Sequence, residues 1–454
     1  MKLLACILLQ IIVTVGLLSC KKDEPCLTCP PPNVQHIFLD TLIIDPTEVW
    51  LRVYTNDSST AGAIEVYRDS GAILLKTIVG VDTTIIDSGL TPMSTHSYKA
   101  YRLQGGLRID STRVMRLRTM DTTNHNFTWQ IDTLGDGGPS ILRDVSAIND
   151  TSVWVVGELH YKDSSGNLQA EPFNAAHWDG NKWTPLRIYY VYQGQNFYSA
   201  LYAVFSFGPS DVWVGSNQPE HWNGNTWEQY DVQGTVFTGY ISKIWGTSSS
   251  NLYIVGKSGA IAHFDGSTWT RMDSGTDVDL LDVWGSPDGS VVWACGYYYN
   301  KPGTYLLRYS TQTSRWEIRY DGTSSEFSIR PDSLSGAYTG VYTPTKNRIY
   351  VGSSAGVYAA PATTQGQAKR LSFTSTYFPG FPRGLRGNAS NDLTIAGAYT
   401  MIAHYNGMSW RYFSELRRPD EHFNALSQTR NLIVAVGIIP DPINSRAIAF
   451  IGRR

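Results

Sequence analysis

The stretch Asp179-Gly180-Asn181-Lys182-Trp183 decides the fold, because close copies of it recur along the chain. The other copies with both glycine and tryptophan are Asn223-Gly224-Asn225-Thr226-Trp227, Asp265-Gly266-Ser267-Thr268-Trp269 and Asn406-Gly407-Met408-Ser409-Trp410. A further copy ends in Trp316 and lacks the glycine. From Trp183 to Trp316 the intervals are 44, 42 and 47 residues, and the next 94 residues to Trp410 make two periods with one tryptophan missing.

Two short apolar segments precede each copy and have the pattern of β-strands. A strand-built repeat of about 45 residues is typical of a β-propeller, in which each repeat forms one blade. Residues 124–454 hold seven repeats, whose first strands begin near Leu142, Leu201, Ile241, Leu281, Tyr338, Pro382 and Phe423. The sequence therefore predicts a seven-bladed β-propeller.

The seventh repeat has no fourth strand of its own after the apolar segment Ala447–Ile451. The segment 127–131 precedes the first blade and carries Trp129 where the repeat has its tryptophan. A blade shared in this way removes exposed strand edges, which otherwise promote aggregation. We expect strand 127–131 to complete the last blade and close the ring.

The repeated turn resembles the Asp-box of sialidase-like propellers, with the residue between Asp and Gly missing. The resemblance implies a structural role. Asp or Asn should cap the turn, Gly should take a positive φ, and Trp should pack between blades.

Residues 34–120 contain short alternating strands, such as Glu48–Tyr54 and Ala63–Arg68. Gly89-Leu90-Thr91-Pro92, followed by Ser97-Tyr98-Lys99-Ala100-Tyr101, resembles the E–F corner of fibronectin type III domains. The tyrosine of that corner would fall at His96, so its hydroxyl bond is absent or replaced. The resemblance implies a β-sandwich that serves as a spacer, and the fold class expected for the whole chain is all-β.

Residues 1–20 have the features of an export signal, with Lys2 followed by the apolar run Leu3–Leu18. The end of the run, Leu17-Leu18-Ser19-Cys20, resembles a bacterial lipobox and implies that Cys20 carries lipid. The alternative is an ordinary secretory peptide in which Cys20 is incidental. Lipidation would bind the protein to a membrane through its N-terminus.

Residues 21–33 form a proline-rich linker that extends the chain away from this anchor. Its start, Lys21-Lys22-Asp23-Glu24, resembles the surface-export signal of lipoproteins in some Gram-negative bacteria. We therefore expect a lipid-anchored protein of the outer membrane or cell surface. Cys26 and Cys29 are either a local disulfide or two free thiols.

The composition excludes several classes of function. The formal net charge of −2 does not indicate the excess of positive charge that is typical of nucleic-acid-binding proteins. The nine histidines are scattered, and no spacing of His, Cys, Asp or Glu matches a metal site. No metal or other cofactor is expected.

The residue two places before the apolar position of each first strand should line the mouth of the central channel. These residues are Arg143, Tyr202, Ser242, Leu281, Thr339, Arg383 and Asn424. A sialidase-like hydrolase would need three arginines and a set of carboxylates there. The sequence supplies two arginines and no carboxylate pair, so Arg143 and Arg383 are expected to contact a ligand instead.

Loops expected on one face of the propeller hold many tyrosines, which suit sugar faces or protein partners. The candidate ligand-binding residues in them are Tyr190, Tyr192, Tyr298, Tyr299 and Tyr377. Arg417 and Arg418 are positioned to contact a carboxylate. The alternative is that these aromatic rings pack loop against loop.

The sequence thus predicts a surface-anchored binding protein whose propeller recognises a polysaccharide or a protein. The alternative is a carbohydrate-active hydrolase or lyase with its site in the channel. Paired acids at the channel mouth would favour the enzyme, and an aromatic face without them would favour binding.

Overall fold

The computed structural model describes residues 36–56, 62–69, 71–300, 303–322, 334, 336–362, 368–371 and 380–454. These residues form 38 β-strands and two 3₁₀ turns, Lys257–Gly259 and Ser414–Leu416. They divide into two compact units. The first contains residues up to Leu39, Val53–Thr83 and Ser97–Met115, and the second contains Asp40–Arg52, Thr84–His96 and Arg116–Arg454.

Within the described part of the chain, no helix is long and apolar enough to cross a membrane.

The N-terminal strands form two sheets. One sheet has the strand order β1-β2-β5, and the other has the order β4-β3-β6-β7, with β8 also pairing with β6. The His96 Nε2 atom lies 2.8 Å from the Ser94 hydroxyl oxygen. The strands are β1 (Ile37–Ile44), β2 (Glu48–Thr55), β3 (Ala63–Arg68), β4 (Ile73–Val79), β5 (Asp82–Ser88), β6 (Thr95–Gln104), β7 (Leu107–Ser111) and β8 (Met115–Arg118).

Seven four-stranded antiparallel sheets, the blades, make up most of the described residues of the second unit. Blades 1 to 3 comprise β10 (Ile141–Asn149), β11 (Ser152–Leu159), β12 (Phe173–Trp178) and β13 (Trp183–Leu186); β16 (Ala203–Gly208), β17 (Asp211–Gly215), β18 (Pro219–Trp222) and β19 (Trp227–Gln229); and β20 (Ile241–Ser248), β21 (Asn251–Gly256), β22 (Ile261–Phe264) and β23 (Trp269–Met272).

Blades 4 to 6 have the same consecutive strand order. They comprise β24 (Leu280–Gly285), β25 (Val291–Tyr297), β26 (Thr304–Ser310) and β27 (Arg315–Asp321); β28 (Tyr338–Thr345), β29 (Arg348–Ser353), β30 (Gly356–Pro361) and β31 (Lys369–Arg370); and β32 (Pro382–Ala389), β33 (Asp392–Gly397), β34 (Ile402–Tyr405) and β35 (Trp410–Tyr412). A separate hairpin, β14 (Tyr189–Tyr192) and β15 (Gln195–Tyr198), lies between blades 1 and 2 in the sequence.

Blade 7 is built from both ends of the propeller sequence. It consists of β36 (His422–Gln428), β37 (Leu432–Ile439), β38 (Arg446–Arg453) and β9 (Thr128–Leu134), in that order. The ladder between β38 and β9 runs from Ala447 opposite Leu134 to Arg453 opposite Thr128. The first strands of successive blades contact one another, and β36 contacts β10, so the blades close into a ring.

Each Asp-Gly-x-x-Trp turn is held by its first side chain. The Asp179 Oδ1 atom accepts hydrogen bonds from the backbone N–H groups of Asn181 and Lys182, at 3.0 and 2.9 Å. Gly180 has a φ of 96°, which favours glycine. The indole of Trp183 in blade 1 donates to Asp132 in blade 7, at 2.9 Å, so the tryptophan does lie between blades. The same capping bonds form at Asn223, Asp265 and Asn406.

Four histidines occupy one repeated position on the third strands and bond within their own blades. In blade 2, His221 stacks on Trp213 with ring centroids 4.3 Å apart, and its Nε2 atom lies 2.9 Å from the Asp211 carboxylate. The corresponding bonds join His177 to Ser152, His263 to Asn251 and His404 to Asp392. These histidines therefore have a structural role, and the described residues contain no group of side chains that could hold a metal ion.

Inside the second unit, a buried ion cluster joins the segment Asp40–Arg52 to blade 5. Arg348 in β29 forms ion pairs with Asp45 and Glu48. Its guanidinium also lies 4.5 Å from the ring centroid of Trp50. Removing one member would leave a charge buried without its partner, which is strongly destabilising.

Glu220 in β18 is a buried carboxyl group. Only 2% of the residue is exposed, and its Oε2 atom has no hydrogen-bond partner within the described structure. Burial raises the pKa of Glu220 to about 7. In the unfolded chain the same group titrates near 4.5, so folding favours its protonated form.

We predict that Gly266→Ala destabilises the propeller by about 2–4 kcal/mol. Gly266 has a φ of 94°, and an added Cβ would lie 2.6 Å from the Ser250 Cβ atom. Gly166→Ala is the matched control, because its φ is 84° but no atom lies within 4 Å of the added carbon. The control should lose only about 1–2 kcal/mol in urea unfolding. Equal losses in the two variants would contradict the steric argument.

We also predict that Glu220→Gln stabilises the protein at pH 8 but has little effect at pH 4.5. The folded state binds more protons than the unfolded state between pH 4.5 and 7, so the wild-type free energy of unfolding falls as the pH rises through that window. Above pH 7, ionisation of the buried Glu220 carboxyl group lowers the free energy of unfolding by on the order of 3 kcal/mol. The neutral amide of glutamine avoids this loss.

Urea unfolding at the two pH values measures this difference. Glu415→Gln serves as control, because that carboxylate is exposed and makes only a surface ion pair with Arg411 at 3.5 Å. A gain for Glu220→Gln that does not change with pH would show that this carboxyl group is not the titrating one.

Candidate functional site

A β-bulge recurs at the same place in the first strand of six blades. In blade 1 the register passes from Leu142 to Asp144, which leaves Arg143 outside the ladder. The other residues left out in this way are Ser242, Leu281, Thr339, Arg383 and Asn424. A bulge redirects the side chain of the extra residue and is often found beside functional sites. In blade 2, Tyr202 precedes β16, and its N–H donates to the Gly215 carbonyl at 2.8 Å.

These seven residues line one cavity of about 740 Å³ in the propeller. They are the seven residues that the sequence places at the channel mouth, and the structure brings all of them together. The remaining lining residues are Ile141, Tyr240, Tyr297, Tyr299 and Phe381. None of the twelve described lining residues is an acid.

The layer directly below the mouth contains two buried ion pairs. Arg386 of blade 6 binds the Asp282 carboxylate of blade 4 through two hydrogen bonds, of 2.6 and 2.8 Å. Lys243 of blade 3 pairs in the same way with Asp144 of blade 1. Each aspartate also accepts a backbone N–H from the blade between the two partners, Val341 at 2.9 Å and Val204 at 3.0 Å. Both pairs thus connect three successive blades.

These pairs occupy the carboxylates that a channel hydrolase would use. Asp144 and Asp282 line a small space of about 60 Å³ below the mouth, and each is bound by a cation. A glycosidase needs one carboxyl group that gives up a proton and a second that stabilises charge. Two carboxylates held in buried ion pairs serve the ring in a structural role.

The arginines of the mouth have no such partners. The Arg143 guanidinium carbon lies 4.5 Å from the ring centroid of Tyr202, and its buried Nε atom makes no hydrogen bond within the described structure. Arg383 donates to the Asn424 side-chain oxygen at 2.8 Å. Asn424 in turn donates to the Leu142 carbonyl at 2.8 Å. The mouth therefore carries two positive charges, and no acid lines the cavity beside them.

Aromatic rings form much of the rest of the mouth. Tyr202 and Tyr240 stack with ring centroids 4.6 Å apart. Tyr297 contacts both Tyr299 and Phe381, at 6.2 and 6.1 Å between centroids. Tyr299 is 89% exposed, so its ring is open to a ligand.

Of the four described tyrosines predicted to bind a ligand, only Tyr299 lies in the cavity. Tyr190 and Tyr192 lie in the β14–β15 hairpin, where Tyr190 stacks on Phe197 with centroids 5.6 Å apart. From the sequence this segment is expected to be a loop between blades, but it is a β-hairpin. Gln193 and Gly194 both have positive φ, as a two-residue type I′ hairpin turn requires, and Tyr189 and Tyr190 lie opposite Tyr198 and Phe197.

Tyr298 points away from the cavity lining, since its hydroxyl donates to Asp277 and its ring packs edge-on against Tyr305. Its role is therefore the loop packing that the sequence leaves open as the alternative. Tyr377 and Cys20 lie outside the described residues.

Arg417 and Arg418 do not line the cavity either. Arg418 forms an ion pair with Glu421 at 3.2 Å. The Arg417 guanidinium lies 5.8 Å from the ring centroid of Tyr399. Both arginines belong to the segment between blades 6 and 7, and their contacts, including that of Arg418 with Phe450 at 5.2 Å, lie outside the cavity lining.

Tyr240 and Ile141 are lining residues that sequence reasoning misses. Each lies two places before the bulged residue of a first strand, Ile141 before Arg143 and Tyr240 before Ser242. Phe381 occupies the same place before blade 6. The usable signal was therefore the residue at the entrance to each first strand, rather than the tyrosine content of the loops.

Comparison with solved structures supports the propeller fold. The chain superimposes on a structure of YCF48 bound to D1 peptide with a TM-score of 0.51 and 15% identity, covering 73% of this chain and 99% of that one. A structure of YCF48 from Cyanidioschyzon merolae gives 0.47 and 12%, covering 70% and 98%. The computationally designed Ika8 protein gives 0.43 and 12%, covering 69% and 98%. The first likeness shows the β-propeller fold.

The chain matches no protein-family model and no curated protein.

Proposed function

We propose that this protein is a binding protein whose propeller receives a peptide segment of a partner protein at the channel mouth. The observation that carries the proposal is the lining of the cavity, in which two arginines and five aromatic rings meet and no acid takes part. Tyrosine, phenylalanine and arginine are enriched in protein interfaces and often supply most of the binding energy.

Two further points support a peptide as the ligand. A cavity of about 740 Å³ has room for a few side chains. In addition, a propeller of similar fold, YCF48, has been solved bound to D1 peptide. Fold alone does not carry function, so the argument rests mainly on the composition of the mouth.

We propose that the propeller is held at a membrane surface. Lipid on Cys20 would supply the anchor, and residues 21–33 would act as the spacer. The strand orders β1-β2-β5 and β4-β3-β6-β7 are those expected of a sandwich of the fibronectin type III kind, which would continue the spacer. The cell surface or outer membrane is the location that this arrangement serves.

We predict that Ser242→Trp abolishes ligand binding, because the added indole fills the mouth of the channel. The full chain would be tested against a random heptapeptide array and a glycan array. Thr270→Trp on the outer strand of the same blade is the matched control, since that residue is exposed and lies outside the cavity. Peptide binding that Ser242→Trp removes and Thr270→Trp retains would support the proposal.

Other outcomes would redirect it. Binding of glycans alone would make the protein a carbohydrate receptor. Shortened products of a bound glycan, seen by mass spectrometry, would favour the hydrolase or lyase. Peptide binding that survives Ser242→Trp would place the site elsewhere on the molecule.

The anchor gives a separate prediction. Expressed in a bacterium with a lipoprotein pathway, the wild-type chain should incorporate an alkyne-labelled fatty acid and fractionate with membranes, because acyl chains bury in the bilayer. Cys20→Ala should lose both properties, whereas Cys29→Ala should keep them. Labelled Cys20→Ala protein would show that Cys20 is not the lipidated residue.

A further inference from the structure

We infer that the peptide is held at the channel mouth by a carboxylate group, which binds between Arg143 and Arg383. This inference rests on the proposed function and specifies its chemistry. The carboxylate belongs either to the C-terminus of the peptide or to an Asp or Glu side chain.

The two layers of the same channel differ in whether their cations are paired with carboxylates. In the lower layer, each described cation has a carboxylate partner, Lys243 with Asp144 and Arg386 with Asp282. In the mouth, Arg143 and Arg383 have none among the described residues. The cations of the buried layer are thus neutralised by carboxylates, whereas Arg143 and Arg383, which face the open cavity, are not.

The bulges explain why these two side chains remain available. Arg143 and Arg383 are each the extra residue of a first strand, so their side chains leave the blade and enter the cavity. The face of Tyr202 supports the Arg143 guanidinium, at 4.5 Å. This support positions the planar group, while its buried Nε–H has no acceptor among the described residues.

Asn424 links the two arginines through blade 7, which lies between blades 6 and 1. Its side-chain oxygen accepts from Arg383, and its amide nitrogen donates to the Leu142 carbonyl, next to Arg143. Three adjacent blades therefore present Arg383, Asn424 and Arg143 along one side of the cavity. An arginine offers planar N–H pairs that match the two oxygens of a carboxylate.

Two other basic groups near the mouth, Lys257 and His422, do not add to this charge. Lys257, which lies 5.1 Å from the ring of Tyr240, is paired with Asp279. Burial and the Arg383 guanidinium lower the pKa of His422 against the opposing effect of Asp420, which favours the neutral form of this ring. The positive charge of the mouth therefore comes from Arg143 and Arg383, and the ligand group that complements it is an anion.

The experiment uses the full chain and four heptapeptide libraries. The libraries have either a free or an amidated C-terminus, and each form is made with and without Asp and Glu. Binding of the best peptides is then measured by fluorescence anisotropy for wild type, Arg143→Met and Arg383→Met. Arg315→Met is the control, because Arg315 is an exposed arginine on the outer strand of blade 4.

We expect binders only in libraries that contain a carboxylate. The library in which they occur distinguishes a terminal carboxylate from a side-chain carboxylate. Arg143→Met and Arg383→Met should each weaken binding by about tenfold or more, and Arg315→Met should not. Higher ionic strength should also weaken binding.

The outcomes separate the inference from the proposed function. Suppose that peptides of the amidated, acid-free library bind as well as those that carry a carboxylate, and that neither arginine substitution weakens them. If Ser242→Trp still blocks this binding, the carboxylate inference is wrong but the binding site at the channel mouth stands. Peptides that bind regardless of Ser242→Trp would overturn both. Thermal unfolding of each variant shows whether a loss of binding reflects a loss of fold. Because Arg383 is exposed, we expect Arg383→Met to change stability less than Arg143→Met does.

Discussion

The pairing of β38 with β9 is the constraint on which the rest of the propeller depends. It joins Arg453 to Thr128 and turns an open row of blades into a ring. Only in a closed ring do the first strands of blades 6, 7 and 1 become neighbours, because β36 must contact both β32 and β10. Arg383, Asn424 and Arg143 come from these three blades. The basic side of the cavity is therefore a product of ring closure, and the same ladder that stabilises the fold also assembles the site.

Within the ring, one local device separates structural from functional positions. In six first strands the bulged residue takes no part in the ladder, so its side chain is directed away from the strand pairing of its own blade. The next residue returns to the ladder and faces the layer below. At that place Asp144 and Asp282 are fixed by cations from two blades away. A shift of one position along the strand thus moves a side chain from the open mouth to the buried, charge-balanced layer.

The blades and the mouth of the channel could be predicted from the sequence, whereas contacts between distant blades could not. The turn at Asp179 recurs at Asn223, Asp265 and Asn406 with the same capping bonds, and the spacing of the copies predicts the blades and the seven mouth positions. The ion pairs could not be foreseen, since Lys243 and Asp144 are 99 residues apart and the pairing depends on how blades are arranged around the channel. The hairpin that contains Tyr190 was missed because its aromatic residues looked like loop residues, whereas they pair across strands.

Ring closure also means that two paired strands are synthesised far apart in time. β9 is made before any blade is complete, and its partner strand follows about 325 residues later, judged from the bond between Thr128 and Arg453. At about 5–20 residues per second, β9 waits on the order of tens of seconds without its sheet. During that interval its apolar residues and unpaired backbone are open to other strands. The price of a closed ring is therefore a long exposure in the nascent chain, and conditions that delay contact between strands until the whole chain is present would favour correct assembly.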